Sequence, residues 1–339
     1  MTDRHPPAAE APCPAPAETG ERGMAAAVRD WPGRTLVAAH LRPDGDAVGS
    51  ASALCRGLRQ LGKTAFVLDN PELTEKYRPY LEGLICDAIG PDDTIIAVDV
   101  AAEDMYSRGL TLPRPIDLAI DHHASNSGYA AVSLVRPERA ACGEIVFDVL
   151  RELGVELTLP IAEALYVAVS TDTGCFRHSN VTANTFRVAA ALLEAGVDAY
   201  PINRRMFELK RFARLKLEAY LTETMRFYSG GRIGVCLIPA DIRERLGLTE
   251  DDVDDISGFA RMIEGVELAA MLRQMPGGVK LSLRSGRLYD SGAICVRLGG
   301  GGHFSAAGAT LRPDPAEAEK QLLDAIYAIY PELICPAES

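Results

Sequence analysis

Four short, largely apolar runs dominate the first 120 residues: Thr35–Ala39, Ala65–Leu68, Thr94–Val98 and Asp117–Ile120, each bounded by polar, Gly or Pro residues. They are continuous rather than alternating, which is the pattern of strands buried on both faces. Between and after them lie segments with the helical apolar period, at Asp46–Leu61, Gly143–Leu153, Ile161–Ser170 and Thr182–Ala195. Strands alternating with helices predict an α/β fold, a parallel sheet with helices on both faces. Such a sheet binds ligands outside the carboxyl ends of its strands, which says where to look for chemistry.

The 339 residues leave room for a second domain. Residues 1–22, rich in Ala, Pro and Glu, read as a disordered tail, and 23–196 as the first domain. Residues 197–222 turn basic (Arg204, Arg205, Lys210, Arg214) and read as a linker helix with a solvated face. In the second domain, 223–339, two strand patterns flank Pro276-Gly-Gly278 as a hairpin, and an amphipathic helix over 315–327 closes a smaller α/β unit.

No apolar run approaches the ~20 residues that span a bilayer, so no membrane role is expected. A net charge of −12 argues against coating long nucleic acid, while leaving open a short or mononucleotide substrate gripped by a few cations. Eight Cys with no CxxC pair read as buried thiols of a reducing compartment, hence a cytoplasmic protein.

The polar residues that end the runs form one constellation. His40-x-x-Pro-Asp44-x-Asp46 follows the first, Asp99 the third, and Asp121-His122-His123 the fourth; Thr171-Asp172-Thr173-Gly174 closes the helix from Ile161. Taken singly, each Asp is equally a helix cap or turn former, and Asp46 is placed to cap its own helix. Gathered in one crevice, they repel one another unless cations neutralise them. Asp mixed with His suits Mn²⁺ or a similar ion, and two such ions bridged by a carboxylate polarise a phosphoryl oxygen and activate water.

These four ordered motifs resemble those of the DHH phosphoesterase superfamily over residues 34–190. The resemblance implies two divalent metal ions, Mn²⁺ ahead of Mg²⁺ or Co²⁺. It puts His40 and Asp44 on one, Asp46, His122 and Asp172 on the other, and Asp99 between them. It also implies that His123 faces the substrate phosphate and that Asp121 orients the neighbouring imidazole.

Beyond the linker, Gly299-Gly300-Gly301-Gly302-His303 is a run of backbone able to crowd N–H groups around an anion, and a helix following it would add its N-terminus. Arg284, at the end of the second hairpin strand, offers a fork suited to phosphate. The glycine run with His303 is similar to the GGGH motif of the DHHA1 domain, which implies that Gly300, Gly301, Gly302, His303 and Arg284 hold substrate phosphate.

With no room for the further domains of RecJ-type enzymes, the chain resembles the NrnA family of compact two-domain phosphoesterases. The resemblance implies hydrolysis of short oligoribonucleotides to mononucleotides and removal of the 3′-phosphate from 3′-phosphoadenosine 5′-phosphate (pAp), by a possible homodimer. The alternative is a cyclic-dinucleotide or linear-dinucleotide phosphodiesterase. A non-catalytic nucleotide-binding module requires an eroded ligand set, and every ligand position holds a compatible residue.

Overall fold

The structure, a computed structural model, describes residues 17–106, 116–249, 252–253 and 256–334. It divides into two compact units, Met1–Leu209 and Lys210–Ser339.

The first unit runs β1 (Ala17–Glu18), α1 (Glu21–Asp30), β2 (Thr35–Ala38), α2 (Gly45–Gln60), β3 (Ala65–Leu68), β4 (Ile85–Cys86), β5 (Thr94–Val98), β6 (Leu118–Asp121), β7 (Val132–Val135), α3 (Cys142–Glu152), α4 (Leu159–Asp172), α5 (Ala183–Glu194) and α6 (Ala199–Asn203). Its seven strands are all parallel, in the order β1-β7-β6-β5-β2-β3-β4. The chain moves outward from β2 through β3 to β4, then returns to lay β5 on the other side of β2 and continues to β7. The order therefore reverses between β2 and β5, the place where an open parallel sheet leaves a crevice at its carboxyl end.

The four central strands are those the apolar runs predict. Alternate residues of each enter two cores. Val37, Val67, Ile96, Val98, Leu118 and Ile120 pack under the helices, while Leu36, Leu68, Ile95 and Ala97 face the other way. Among the described residues that second face is closed by Val100, Tyr106, Ile116 and Ala130, with Met105 of a short 3-10 helix over Glu103–Met105 packed against them.

Two expected boundaries also move. The first sheet begins inside the stretch read as a tail, because β1 pairs with β7 through its backbone and Thr19 N–H donates to Ser133 O at 2.9 Å, contacts that composition does not encode. Residues 1–16 lie outside the described residues. The basic segment at 197–222 is not a free linker: Ile202 and Met206 join the first core, and Leu217 and Leu221 join a core of the second unit.

The second unit comprises α7 (Phe212–Thr224), β8 (Arg226–Tyr228), β9 (Ile233–Ile238), α8 (Ile242–Leu246), β10 (Leu268–Met275), β11 (Gly278–Ser285), α9 (Ser291–Arg297), β12 (Gly301–His303), β13 (Ala306–Leu311) and α10 (Pro315–Ile329). Its sheet, ordered β12-β13-β11-β10-β9-β8, is antiparallel except between β9 and β10. Ile294, Leu322 and Ile326 cover one face, and Leu217, Leu221 and Ile242 the other. No described helix is long and apolar enough to cross a membrane.

Candidate active site

The carboxyl ends of β2, β5 and β6 and the last turn of α4 bring six of the expected side chains together. Asp44, and not Asp46, caps α2: its Oδ1 accepts from the N–H groups of Asp46 and Ala47 at 3.0 and 3.1 Å. Asp46 is fully buried and is fixed by the start of α3, where the Cys142 and Gly143 N–H groups donate to its two oxygens at 2.6 and 2.9 Å. Two orphan donors of that helix N-terminus are satisfied by a carboxylate, which the helix dipole also favours.

Glycines set how near the elements come. A Cβ at Gly45 would meet Thr171 Oγ1 at 2.3 Å, and one at Gly49 would meet Ala164 O at 2.3 Å. Only bare backbone lets the start of α2 reach the end of α4, bringing Asp46 and Asp172 to one imidazole. His122 Nε2 stands 3.8 Å from Asp46 Oδ2, 3.7 Å from Asp172 Oδ2 and 3.4 Å from Asp99 Oδ1.

His40 Nε2 lies 3.9 Å from Asp44 Oδ1 and 3.6 Å from Asp99 Oδ2. The two oxygens of Asp99 thus face two different groups, His40–Asp44 and Asp46–His122–Asp172, whose ligand atoms cluster tightly enough to surround a cation. Atoms sharing an ion at ~2.1 Å stand ~3–4 Å from one another. Asp99 Oδ1 is buried and accepts no hydrogen bond, an orphaned acceptor of the kind a cation satisfies. The donor set fits divalent metal.

Both imidazoles are held with Nε2 inward. His40 Nδ1 donates to Leu41 O at 2.6 Å and His122 Nδ1 to Arg139 O at 3.2 Å, leaving each Nε2 lone pair for the cluster. Burial alone would lower both imidazole pKa values. The carboxylates outweigh it, raising His40 to about 11 through Asp44 and Asp99, and His122 to about 10 through Asp99, Asp46 and Asp172. Asp172 is pushed up to about 6 by burial and by Asp99 and Asp44, while burial, Asp99 and Asp172 drive Asp46 upward. Asp99, for which the histidines outweigh burial, is held well below the carboxylate range. Each shift reports the same excess of negative charge, met here by protons.

His123 is half-exposed, and its Nδ1 donates to Asp121 Oδ1 at 2.8 Å. Asp121 is fully buried; it also accepts from the His122 N–H at 2.8 Å and from Asn126 Nδ2 at 2.7 Å. The imidazole it orients is therefore that of His123. Sequence reasoning missed Asn126 and the Arg139 carbonyl. The first sits five residues beyond Asp121, but nothing in its local pattern separates it from an ordinary turn residue.

In the second unit Arg284, Gly300, Gly301 and Gly302 line a groove of about 810 Å³, whereas His303 is exposed and lies outside its lining. No helix follows the glycines. Gly301 and Gly302 open β12, which pairs with β13 as His303↔Ala306 and Gly301↔Gly308. A Cβ at Gly300 would meet Gly308 O at 2.1 Å, and Gly302, at φ +142, would meet Ala307 Cα at 2.4 Å. Close strand packing alone thus demands two of these glycines, and a strand rather than a helix N-terminus stands where the anion was expected to meet a dipole.

A family model described as the DHH family, N-terminal domain, matches residues 34–169, and one described as the DHHA1 domain matches 234–330. The chain is 35% identical over 298 residues to the bifunctional oligoribonuclease and PAP phosphatase NrnA of Thermus thermophilus, covering 87% of this chain and 89% of that one. An exopolyphosphatase-related protein of Bacteroides fragilis superposes with a TM-score of 0.81 at 22% identity, over 92% and 97% of the two chains. The exonuclease RecJ bound to manganese does so with a TM-score of 0.52 at 18% identity, over 93% and 96%. Domain order, motif order and this degree of identity agree: the chain belongs to the NrnA family of DHH/DHHA1 phosphoesterases.

Proposed function

We propose that the protein hydrolyses short oligoribonucleotides to mononucleotides and removes the 3′-phosphate of pAp, using two divalent cations, Mn²⁺ ahead of Mg²⁺ or Co²⁺. The observation that carries this reading is Asp99, whose two oxygens face two separate ligand groups and one of which is buried without a donor. His40 and Asp44 would hold one ion, Asp46, His122 and Asp172 the other, with Asp99 shared. A mixed imidazole and carboxylate set favours Mn²⁺ over the all-oxygen preference of Mg²⁺. When bound, the ions supply Lewis-acid polarisation of the phosphoryl group and a lowered pKa for attacking water.

The protein's own groups do the rest. The Leu41 and Arg139 carbonyls keep both Nε2 atoms inward, and the α3 N-terminus keeps Asp46 in place. Asp121 accepts from the Nδ1–H of His123 and raises the pKa of that half-exposed imidazole, whose other nitrogen would meet the substrate phosphate. In the second unit Arg284, Gly300–Gly302 and His303 would receive the substrate's terminal phosphate. Loss of a 3′-phosphate and release of a mononucleotide are the same displacement with different leaving groups. The six described cysteines are free thiols, which suits the reducing cytoplasm.

The test is a competition assay with Mn²⁺, offering pAp, a labelled RNA of a few nucleotides and cyclic di-AMP together. Turnover of pAp and RNA with the cyclic compound untouched is expected. Preferential opening of the cyclic compound would move the protein to the cyclic-dinucleotide branch, and no turnover with metal bound would overturn the substrate assignment.

A further inference from the structure

One short stretch of backbone holds two of the ligand residues. The Arg139 carbonyl accepts from His122 Nδ1 at 3.2 Å, and the Cys142 and Gly143 N–H groups donate to the two oxygens of Asp46. Residues 139–143 therefore fix the imidazole and one carboxylate of the Asp46–His122–Asp172 group. Asp172 belongs to another element. It is the last residue of α4, and its carbonyl is among those that no later N–H of that helix reaches.

Asn180 joins the two. Beyond Thr173 the chain reverses through Gly174, Cys175 and Phe176, all left-handed at φ +55, +59 and +62. The N–H groups of Arg177 and His178 return to Thr173 O at 2.9 and 3.0 Å. The reversal delivers Asn180 to the end of α4, where its Nδ2 donates to Ala140 O at 2.9 Å and to Asp172 O at 3.2 Å. Both acceptors are carbonyl oxygens, so only the NH₂ end of the amide fits, and its two protons serve the two bonds. The surroundings are anchored as well. Buried Glu144 of α3 accepts from Asn184 Nδ2 at 2.7 Å and Thr185 Oγ1 at 2.6 Å at the start of α5, and Arg139 donates to Asp148 Oδ2 at 2.8 Å. His40 and Asp44 make their bonds elsewhere, with Leu41, Asn70 and the start of α2.

We propose that Asn180 is a positioning residue for one of the two ligand groups only. Its amide bonds to no ligand side chain, yet it ties Asp172 to the segment that holds Asp46 and His122, and so sets the spacing of all three. The inference rests on the reading of the site as two cation positions.

The test counts bound Mn²⁺ by electron paramagnetic resonance, which reads the free aquo ion, in full-length wild type and variants. Wild type is expected to take two ions. In Asn180→Ala one ion should bind as in wild type and the other about tenfold to a hundredfold more weakly, the usual cost of losing a group behind a metal ligand. Asp172→Asn should lose that same ion, and adding Asn180→Ala to it should leave the remaining affinity unchanged. Asn180→Asp keeps the shape, removes both donors and adds a negative charge. Charge alone would tighten binding, so weaker binding there isolates the geometry. His178 Nδ1 also reaches Asp172 O, at 3.3 Å, but makes no bond to Ala140, so His178→Ala should match wild type. Undiminished binding in Asn180→Ala, a further loss in the double variant, or an equal loss in His178→Ala overturns the proposal. Loss of the folded circular dichroism spectrum in both Asn180 variants overturns it too, by giving Asn180 to the fold and not the site. Wild-type protein that binds a single ion overturns the two-cation reading itself, so the two failures are told apart.

Discussion

At the scale of single residues, Asp99 concentrates the cost and the use of the site. It sits in the left-handed region at φ +59, directly after β5, where a non-glycine residue carries strain of roughly 1–3 kcal/mol. Its carboxyl is 2% exposed with an unsatisfied oxygen, so neither backbone nor burial favours Asp there without a cation. Asp99→Ala is therefore expected to lower kcat at least ~10³-fold, several kcal/mol of transition-state stabilisation. Circular dichroism should remain that of wild type. Thermal melts supply the independent reading: Mn²⁺ should raise the Tm of wild type by binding the native state and leave the variant unmoved. A variant that still turned over, or still responded to Mn²⁺, would refute the shared-carboxylate assignment. These candidate ligands were legible in the sequence because all but Asp172 follow a strand whose apolar run marks where the crevice must lie, and Asp172 closes α4. Asn126 and the Arg139 carbonyl were not, since a turn residue and a main-chain oxygen leave no trace of what they will hold.

Elements matter through how near they approach and when they detach. α2 and α4 pack without an intervening Cβ at Gly49, where an added methyl would lie 2.3 Å from Ala164 O and 2.8 Å from Ala168 N, both immovable backbone atoms. Gly49→Ala is expected to cost about 1–3 kcal/mol in denaturant unfolding and to weaken Mn²⁺ affinity, by prising Asp46 away from Asp172. Weakened stability with unaltered metal affinity would show that the helix spacing does not set the ligand spacing. α1 is tied down by Glu21, whose Oε1 accepts from Arg136 Nε at 3.0 Å. Burial raises the Glu21 pKa, but the hydrogen bond and charge of Arg136 prevail and hold it below its ordinary 4.5. A depressed carboxyl stabilises the folded state above about pH 4.5 and loses that contribution as pH falls through the depressed value. Amide exchange over residues 21–30, corrected for intrinsic rates, should therefore accelerate on acidification below that point ahead of α4. Equal protection at pH 5 and pH 3.5 would contradict it. Neither α1 docking nor β13 was readable beforehand: β1 contributes through its backbone, and β13 hides its alternation in Ala, Gly and Thr, with Ala307, Ala309 and Leu311 buried and Ala306, Gly308 and Thr310 turned to the groove.

For the molecule as a whole, two independent cores divide the labour. Every candidate metal ligand among the described residues belongs to the unit ending at Leu209, and the groove lined by Arg284 belongs to the unit beginning at Lys210. Each unit has a sheet with buried residues on both faces, so each satisfies what autonomous folding requires. The segment read from its charge as a linker gives Ile202 and Met206 to the first core and Leu217 and Leu221 to one of the second unit, which leaves the cut between Leu209 and Lys210 as the place where least packing is lost. Fragments 1–209 and 210–339 are accordingly expected to unfold cooperatively by themselves, and the first to bind Mn²⁺ within a few-fold of the whole chain. Mixed at micromolar concentration, they should recover little hydrolysis of pAp, because the covalent join supplies an effective concentration of order millimolar that free fragments lack. Full activity in the first fragment alone would remove the second unit from catalysis. Loss of Mn²⁺ binding in a folded first fragment would instead mean that the ligand set drawn from β2, β5, β6 and α4 is incomplete.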